Sequence, residues 1–133
     1  MIRTGLVAFA GCLWAASALA SGLAPHWDGH ITQYDARGTT TYPVRLTRLG
    51  DSISSEYPTL KCRGQWTLIS ARGDYKIYEE RIVAGRLTKG AQEGCIDGIV
   101  TFRDGWKEAQ FGWFASFEGQ PTSAWAVVKP VQK

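Results

Sequence analysis

Turn-forming residues recur along the chain at intervals of roughly ten residues, and short apolar–polar alternations fill the segments between them. The turn signals are Ala36-Arg37-Gly38, Leu49-Gly50-Asp51, Arg72-Gly73-Asp74, Asp104-Gly105 and Glu118-Gly119-Gln120-Pro121. Connections this short can join antiparallel strands, but they cannot make the crossovers that parallel strands require. We therefore predict an all-β protein, a small antiparallel sandwich or barrel of about seven to eight strands.

The alternating segments define one predicted β-domain over residues 27–130. Pro43 cannot donate to a strand ladder, so we expect the strand that contains it to be an edge strand or to carry a bulge. Residues 59–64 are predicted to form an irregular link, and residues 84–93 the longest loop. The predicted strands are 27–34, 39–49, 52–57, 65–71, 75–83, 99–103, 106–117 and 123–129.

The first twenty residues have the pattern of a secretory signal peptide. Arg3 supplies a basic start, an apolar run extends from Leu6, and Ala18-Leu19-Ala20 offers small residues at the cleavage positions. We predict a signal peptide over 1–20, a flexible leader over 21–26, and a periplasmic or secreted bacterial protein with no membrane span after cleavage. The competing prediction is a lipoprotein acylated at Cys12, although the apolar run continues past that cysteine.

Two cysteines, Cys62 and Cys95, follow the predicted signal peptide. An even pair in an oxidising compartment predicts a disulfide. The chain has a formal net charge of +3, and loss of Arg3 with the signal leaves it only slightly basic. Because a nucleic-acid binder requires a clustered basic face, we expect no nucleic-acid partner.

Three groups of residues resemble a small domain of exported bacterial proteins that also occurs at the extracytoplasmic ends of some bacterial serine/threonine kinases. Its pattern, YPxLxCxGxW, ERIxxG and CxDGxV, is carried here by Tyr57-Pro58-Thr59-Leu60-Lys61-Cys62 with Gly64 and Trp66, by Glu80-Arg81-Ile82 with Gly85, and by Cys95, Asp97, Gly98 and Val100. The resemblance implies an extracytoplasmic accessory or sensing module, and it names no activity.

Catalytic and metal-binding groupings are sparse. His26, Asp28 and His30 lie close in sequence, but a metal site needs three or four converging ligands, and no further histidine is present. We therefore predict no metal, no cofactor and no catalytic residue. Carboxylate chemistry of the glycosidase type remains the enzymatic alternative, with Glu56, Glu79, Glu80, Asp97 and Glu108 as its candidates. The simpler interpretations are a turn residue at Asp97 and a strand-face ion pair at Glu80-Arg81.

Aromatic residues are the most unusual feature after the predicted cleavage point. The chain has six tryptophans, of which only Trp14 lies in the predicted signal peptide. Trp66 is a candidate core residue. Trp113 and Phe114 are adjacent, so they should point to opposite faces of a strand, unless Gly112 resets the register. The simpler interpretation is that both are buried, between two layers or at a bulge. The predicted ligand-binding candidates are Glu80, Arg81, Trp113 and Phe114.

The function class that remains is a non-enzymatic binding or accessory module. We expect it to recognise a protein or a cell-envelope ligand, with inhibition of a periplasmic, lysozyme-type hydrolase as one specific form. Two alternatives stay open. One is a small carboxylate-dependent envelope hydrolase, and the other is a structural subunit of an envelope complex.

Overall fold

The computed structural model describes residues 26–131, so the predicted signal peptide, Cys12 and residues 21–25 of the predicted leader lie outside the described residues. Eight antiparallel strands form a closed barrel in which each strand pairs with its sequence neighbours and β8 pairs back to β1. A short 3₁₀ helix, Pro58–Leu60, joins β3 to β4. The strands are β1 His26–Asp35, β2 Gly38–Leu49, β3 Ser52–Tyr57, β4 Cys62–Arg72, β5 Tyr75–Ala84, β6 Gly98–Asp104, β7 Ala109–Phe117 and β8 Gln120–Pro130.

The predicted all-β antiparallel fold is confirmed, and it is a barrel because β1 and β8 pair over most of their length. Closure leaves no free sheet edge to protect. Pro43 therefore does not lie on an edge strand. It pairs with His30 of β1, and the β2–β3 register begins only at Arg45, so the proline lies where β2 has one partner strand.

Three strands begin three residues away from their predicted starts, and one of them is β8, which begins at Gln120 rather than at residue 123. β4 already begins at Cys62, inside the segment expected to be an irregular link, because the chain re-enters the ladder opposite Tyr57. Residues 106–108 belong to a turn rather than to the strand, which begins at Ala109. Trp106 in this turn is 94% exposed. In the described residues, no helix has the length and apolar character needed to span a membrane.

One end of the barrel, here called the packed end, is filled by aromatic side chains. It carries the turns at residues 50–51, 73–74 and 105–108. Trp66 is fully buried, with its ring centroid 5.1 Å from that of Phe111 and 6.0 Å from that of Phe102. Arg48 stacks over Trp27 at 5.0 Å and forms an ion pair with Asp104 at 2.8 Å. Aromatic packing and this ion pair therefore fill the packed end.

The opposite end, here called the open end, carries the turns at residues 36–37 and 118–119, the 3₁₀ helix and the long connection 85–97. That connection is longer than the predicted loop 84–93. The predicted disulfide is confirmed, and it joins Cys62 at the start of β4 to Cys95 in the connection, 33 residues further along the chain. The disulfide therefore tethers the longest loop of the protein to the rim of the open end.

Candidate functional site

The interior of the barrel at the open end holds a cavity of about 690 Å³. This volume falls in the range of pockets that bind small molecules, about 300–1,000 Å³. The inner part of the cavity is lined by Ile31, Tyr42, Tyr57, Glu80 and Trp113, and the outer part by the turns and the long loop. The aromatic core therefore fills the packed end and leaves room at the other.

Glu80 is the one buried carboxylate among the described residues, with 1% of its surface exposed. It lies on β5 between the buried residues Tyr78 and Ile82, and strand alternation therefore points its side chain into the barrel. Its Oε2 accepts three hydrogen bonds: 2.6 Å from Ser55 Oγ, 2.5 Å from the Tyr57 hydroxyl and 2.6 Å from Trp66 Nε1. A buried carboxyl group is thus fixed by neutral donors at the base of the cavity.

Burial raises the pKa of the Glu80 carboxyl above its ordinary value. Hydrogen bonds from Ser55, Tyr57 and Trp66, together with the nearby Trp113 indole, act in the opposite direction and do not fully offset burial. The pKa of Tyr57 is also raised, first by its own burial and then by the Glu80 charge. Tyr57 therefore stays a neutral hydroxyl donor to Glu80 at physiological pH.

This raised pKa predicts how stability depends on pH. A carboxyl group whose pKa is raised by folding stabilises the folded state at low pH. That contribution is lost as the pH rises from about 4.5, the ordinary pKa of a glutamate, through the folded-state pKa. Tyr42 and Tyr57, which also act on this charge, have raised pKa values and do not titrate in that range. We expect Glu80→Gln to gain stability relative to the unmutated protein as the pH rises above 4.5.

The measurement is urea unfolding of both proteins at a series of pH values. Asp35 and Asp97, whose pKa values are lowered, are present in both proteins, and their contributions therefore cancel in the difference. A raised pKa of Glu80 would be contradicted if the difference in free energy of unfolding between the two proteins stayed constant with pH or changed in the opposite direction.

Trp113 lies on β7 with its side chain inside the barrel, and 9% of the residue is exposed. Its indole is close enough to Glu80 to favour the charged carboxylate, yet Nε1 makes no hydrogen bond within the described part of the chain. Gly98 allows this position, because a Cβ atom there would collide with Nε1. A buried N–H donor without a partner is costly, so a donor of this kind in a cavity indicates a place for an acceptor.

Gly64 makes room for the hydrogen bonds at Glu80. A Cβ atom at this position on β4 would lie 2.6 Å from Ser55 Oγ and 2.9 Å from Glu80 Oε2. We therefore expect Gly64→Ala to lower the free energy of unfolding by about 1–3 kcal/mol, since both groups would have to move. Gly112→Ala on β7 is the matched control, because its nearest neighbour would lie at 4.0 Å. Equal urea midpoints for both variants would contradict this interpretation.

The long loop is anchored at both ends. Next to the disulfide, Cys95 donates its N–H to the carbonyl of Gly85 at 2.9 Å, and Leu87 donates to the carbonyl of Cys95 at 2.8 Å. Asp97 accepts the N–H of Ile82 at 2.8 Å and pairs with Arg86 at 3.0 Å. The simpler interpretation of Asp97 was a turn residue, and the structure shows that it also holds the loop against β5. These bonds fix the outer wall of the cavity.

The four predicted ligand-binding residues separate into two pairs. Glu80 and Trp113 come together inside the barrel, while Arg81 and Phe114 lie outside. The expected ion pair between Glu80 and Arg81 is wrong, because neighbouring residues of a strand face opposite sides. Arg81 instead lies 3.6 Å from Glu79, an exposed pair. Phe114 is 57% exposed, so Trp113 and Phe114 point to opposite faces, and the interpretation that both are buried is wrong.

The other candidate carboxylates are not brought to Glu80. Glu56 and Glu79 lie on the outer sides of β3 and β5. Asp97 is bound to the loop, and Glu108 lies in the turn at the packed end. His26 bonds to Thr47, and Asp28 pairs with Arg45. Across residues 26–131, no group of three or more His, Cys, Asp or Glu side chains is placed to hold a metal ion.

Sequence reasoning missed Ser55 as part of the site. In the predicted strand 52–57, alternation of apolar and polar residues predicts that Ile53 and Tyr57 point inward, and Ser55 lies between them with the same parity. A serine on an inward-facing row needs a hydrogen-bond partner inside the protein. That alternation was therefore the signal that could have indicated a polar group within the barrel.

No protein-family model matches the chain, and no curated protein matches it. The candidate site is therefore defined by its geometry: a cavity, a buried carboxyl group at its base, and an indole N–H without a partner.

Proposed function

We propose that this protein is an exported, non-enzymatic binding protein that holds a small molecule in the open end of its barrel. The observation that carries the proposal is the cavity of about 690 Å³ that ends on Glu80 and on the unpartnered N–H of Trp113. Convergent polar groups at the base of an otherwise largely preformed pocket are the usual arrangement of a ligand site.

The size of the barrel supports this proposal. An eight-stranded barrel is either filled by its own side chains or able to hold one small ligand. Here the aromatic residues fill one end, and the side chains at the other leave space around a polar base. Because native interiors are normally close-packed, a space of this size with polar groups at its base favours an occupant.

Binding is favoured over hydrolysis by the arrangement of the carboxylates. A glycosidase of the expected type needs two carboxyl groups on either side of the scissile bond. Of the four carboxylates that line the cavity, Glu80 lies at its base, whereas Asp35, Glu93 and Glu118 lie in or next to the turns and the loop of its outer part. Its Oε2 is already occupied by three donors, which suits a fixed acceptor better than a group that must exchange protons.

Export is supported by two features. The signal-peptide pattern of residues 1–20 directs the chain across a membrane, and the Cys62–Cys95 disulfide is typical of an oxidising compartment. The resemblance to extracytoplasmic bacterial domains agrees with this location.

The experiment is nitrogen-15 NMR of the disulfide-bonded protein. Small amines, alcohols, amides and carboxylic acids are added in separate titrations, one compound class at a time. The indole signal of Trp113 is assigned with Trp113→Phe, and that of Trp125, half-exposed on the outer surface, serves as the internal control. We expect at least one compound class to shift the Trp113 signal and leave Trp125 unchanged. If no class shifts Trp113, or if both signals always move together, the proposal is wrong.

A further inference from the structure

We infer that the ligand of this cavity is a small organic ammonium compound with an oxygen acceptor close to its nitrogen, in which the ammonium group binds Glu80 and the oxygen accepts from Trp113. The inference rests on the proposed function and names the chemical class for that site. Three features support it: the hydrogen bonding of Glu80, the charge of the cavity lining, and the unpartnered indole.

Only one of the two oxygen atoms of the Glu80 carboxyl group accepts hydrogen bonds from the described residues. All three hydrogen bonds that it receives end on Oε2, and no hydrogen bond to Oε1 is found in the described residues. Its donors are neutral, and none of the salt bridges among the described residues involves Glu80. Since a buried charge needs a counter-charge as well as hydrogen bonds, a ligand cation would supply what the barrel does not.

The lining of the cavity is acidic although the chain as a whole is basic. The formal net charge of the protein is +3. In contrast, the charged residues that line the cavity are Asp35, Glu80, Glu93 and Glu118 on the acidic side and Arg37 on the basic side. This distribution attracts cations to the open end and disfavours anions.

Aromatic groups complete a site for a cation. Tyr42, Tyr57, Trp113 and Phe117 line the same cavity, and aromatic faces attract ammonium groups. The buried Nε1 of Trp113 is a donor and so cannot bind the ammonium group itself. It requires an acceptor, which a hydroxyl or carbonyl oxygen of the ligand next to the nitrogen would provide.

The test uses matched probes that differ mainly in charge: 3-amino-1-propanol, 1,3-propanediol and 3-hydroxypropanoate. Binding at neutral pH is followed by the Trp113 indole signal and by calorimetry. We expect the amino alcohol to bind at least tenfold more tightly than the diol, and the carboxylate to bind more weakly than the diol.

Glu80→Gln provides the decisive variant. The amide oxygen can accept the three hydrogen bonds that Oε2 now receives, and an NH₂ group would replace Oε1. We expect at least a tenfold loss of affinity for the amino alcohol, with a melting temperature no lower than that of the unmutated protein. Glu79→Gln, an adjacent outward-facing residue, is the matched control and should bind the amino alcohol like the unmutated protein.

Three outcomes overturn the inference: the diol or the carboxylate binds as tightly as the amino alcohol, Glu80→Gln binds it undiminished, or no probe with an ammonium group binds. Neutral or anionic compounds that shift Trp113 would leave the proposed binding function standing and refute only the ligand class. A Trp113 signal that no compound moves would refute both.

Discussion

Replacement of Glu80 by leucine is expected to lower the free energy of unfolding by about 2–6 kcal/mol. Leucine has a similar size but no acceptor, so the hydroxyl groups of Ser55 and Tyr57 and the N–H of Trp66 would lose their common partner. A buried donor left without an acceptor costs about 1–3 kcal/mol. The range counts two such donors rather than three, because Ser55 and Tyr57 are already close and one of them can bond to the other.

Glu80→Gln separates the loss of an acceptor from the loss of charge. The amide keeps an oxygen for the three donors and avoids the desolvation of a carboxylate, so we expect it to be at least as stable as the unmutated protein at neutral pH. Urea unfolding followed by circular dichroism gives the free energy for each variant. The assignment of Glu80 as the common acceptor is refuted if the leucine variant is as stable as the glutamine variant.

Removal of the disulfide is expected to cost about 3.8 kcal/mol, by the chain-entropy estimate for a loop of this length. Net folding stability is about 5–15 kcal/mol for a typical domain, so the loss would be a large part of the total. The variant is Cys62→Ala with Cys95→Ala, which avoids mixed disulfides. Cys62 is buried, and its substitution by a smaller side chain adds to the effect.

The same variant should also weaken ligand binding. Leu87, Thr88 and Cys95 belong to the wall of the cavity, and the disulfide holds this wall to the rim. We expect at least a tenfold loss of affinity for whichever compound shifts the Trp113 signal. The affinity is measured without urea, at a temperature at which the variant is still folded. Full binding by the double variant would show that the loop does not shape the site.

Much of the fold was predictable because its information is local. The turn residues and the alternating pattern indicate antiparallel strands, and the inward parity of Ile53, Tyr57 and Trp66 agrees with the structure. Barrel closure was not predictable, because it depends on pairing between the first and last strands. Nothing in the sequence of β1 or β8 alone distinguishes a partner across the barrel from a free edge.

The site was only half predictable, for a different reason. Alternation separates Glu80 from Arg81 and Trp113 from Phe114, but the choice of the inward member needs the parity of the whole strand. For Glu80, the neighbours Tyr78 and Ile82 give that parity. A carboxylate on an apolar row contradicts the usual rule that charges lie outside, and this made a surface ion pair the simpler interpretation. Its donors come from β3 and β4, so only the folded barrel brings them together.

The two ends of the barrel divide the work of the molecule. The aromatic packing around Trp66 stabilises the packed end. At the open end, the long loop of the cavity wall is anchored by Asp97 and by the disulfide. Residues 88–93 of this loop are exposed and lie outside the strands, so the fold places few constraints on their side chains. Selection or design can therefore exchange residues of this loop, and so change which ligand is bound, while the barrel strands stay the same.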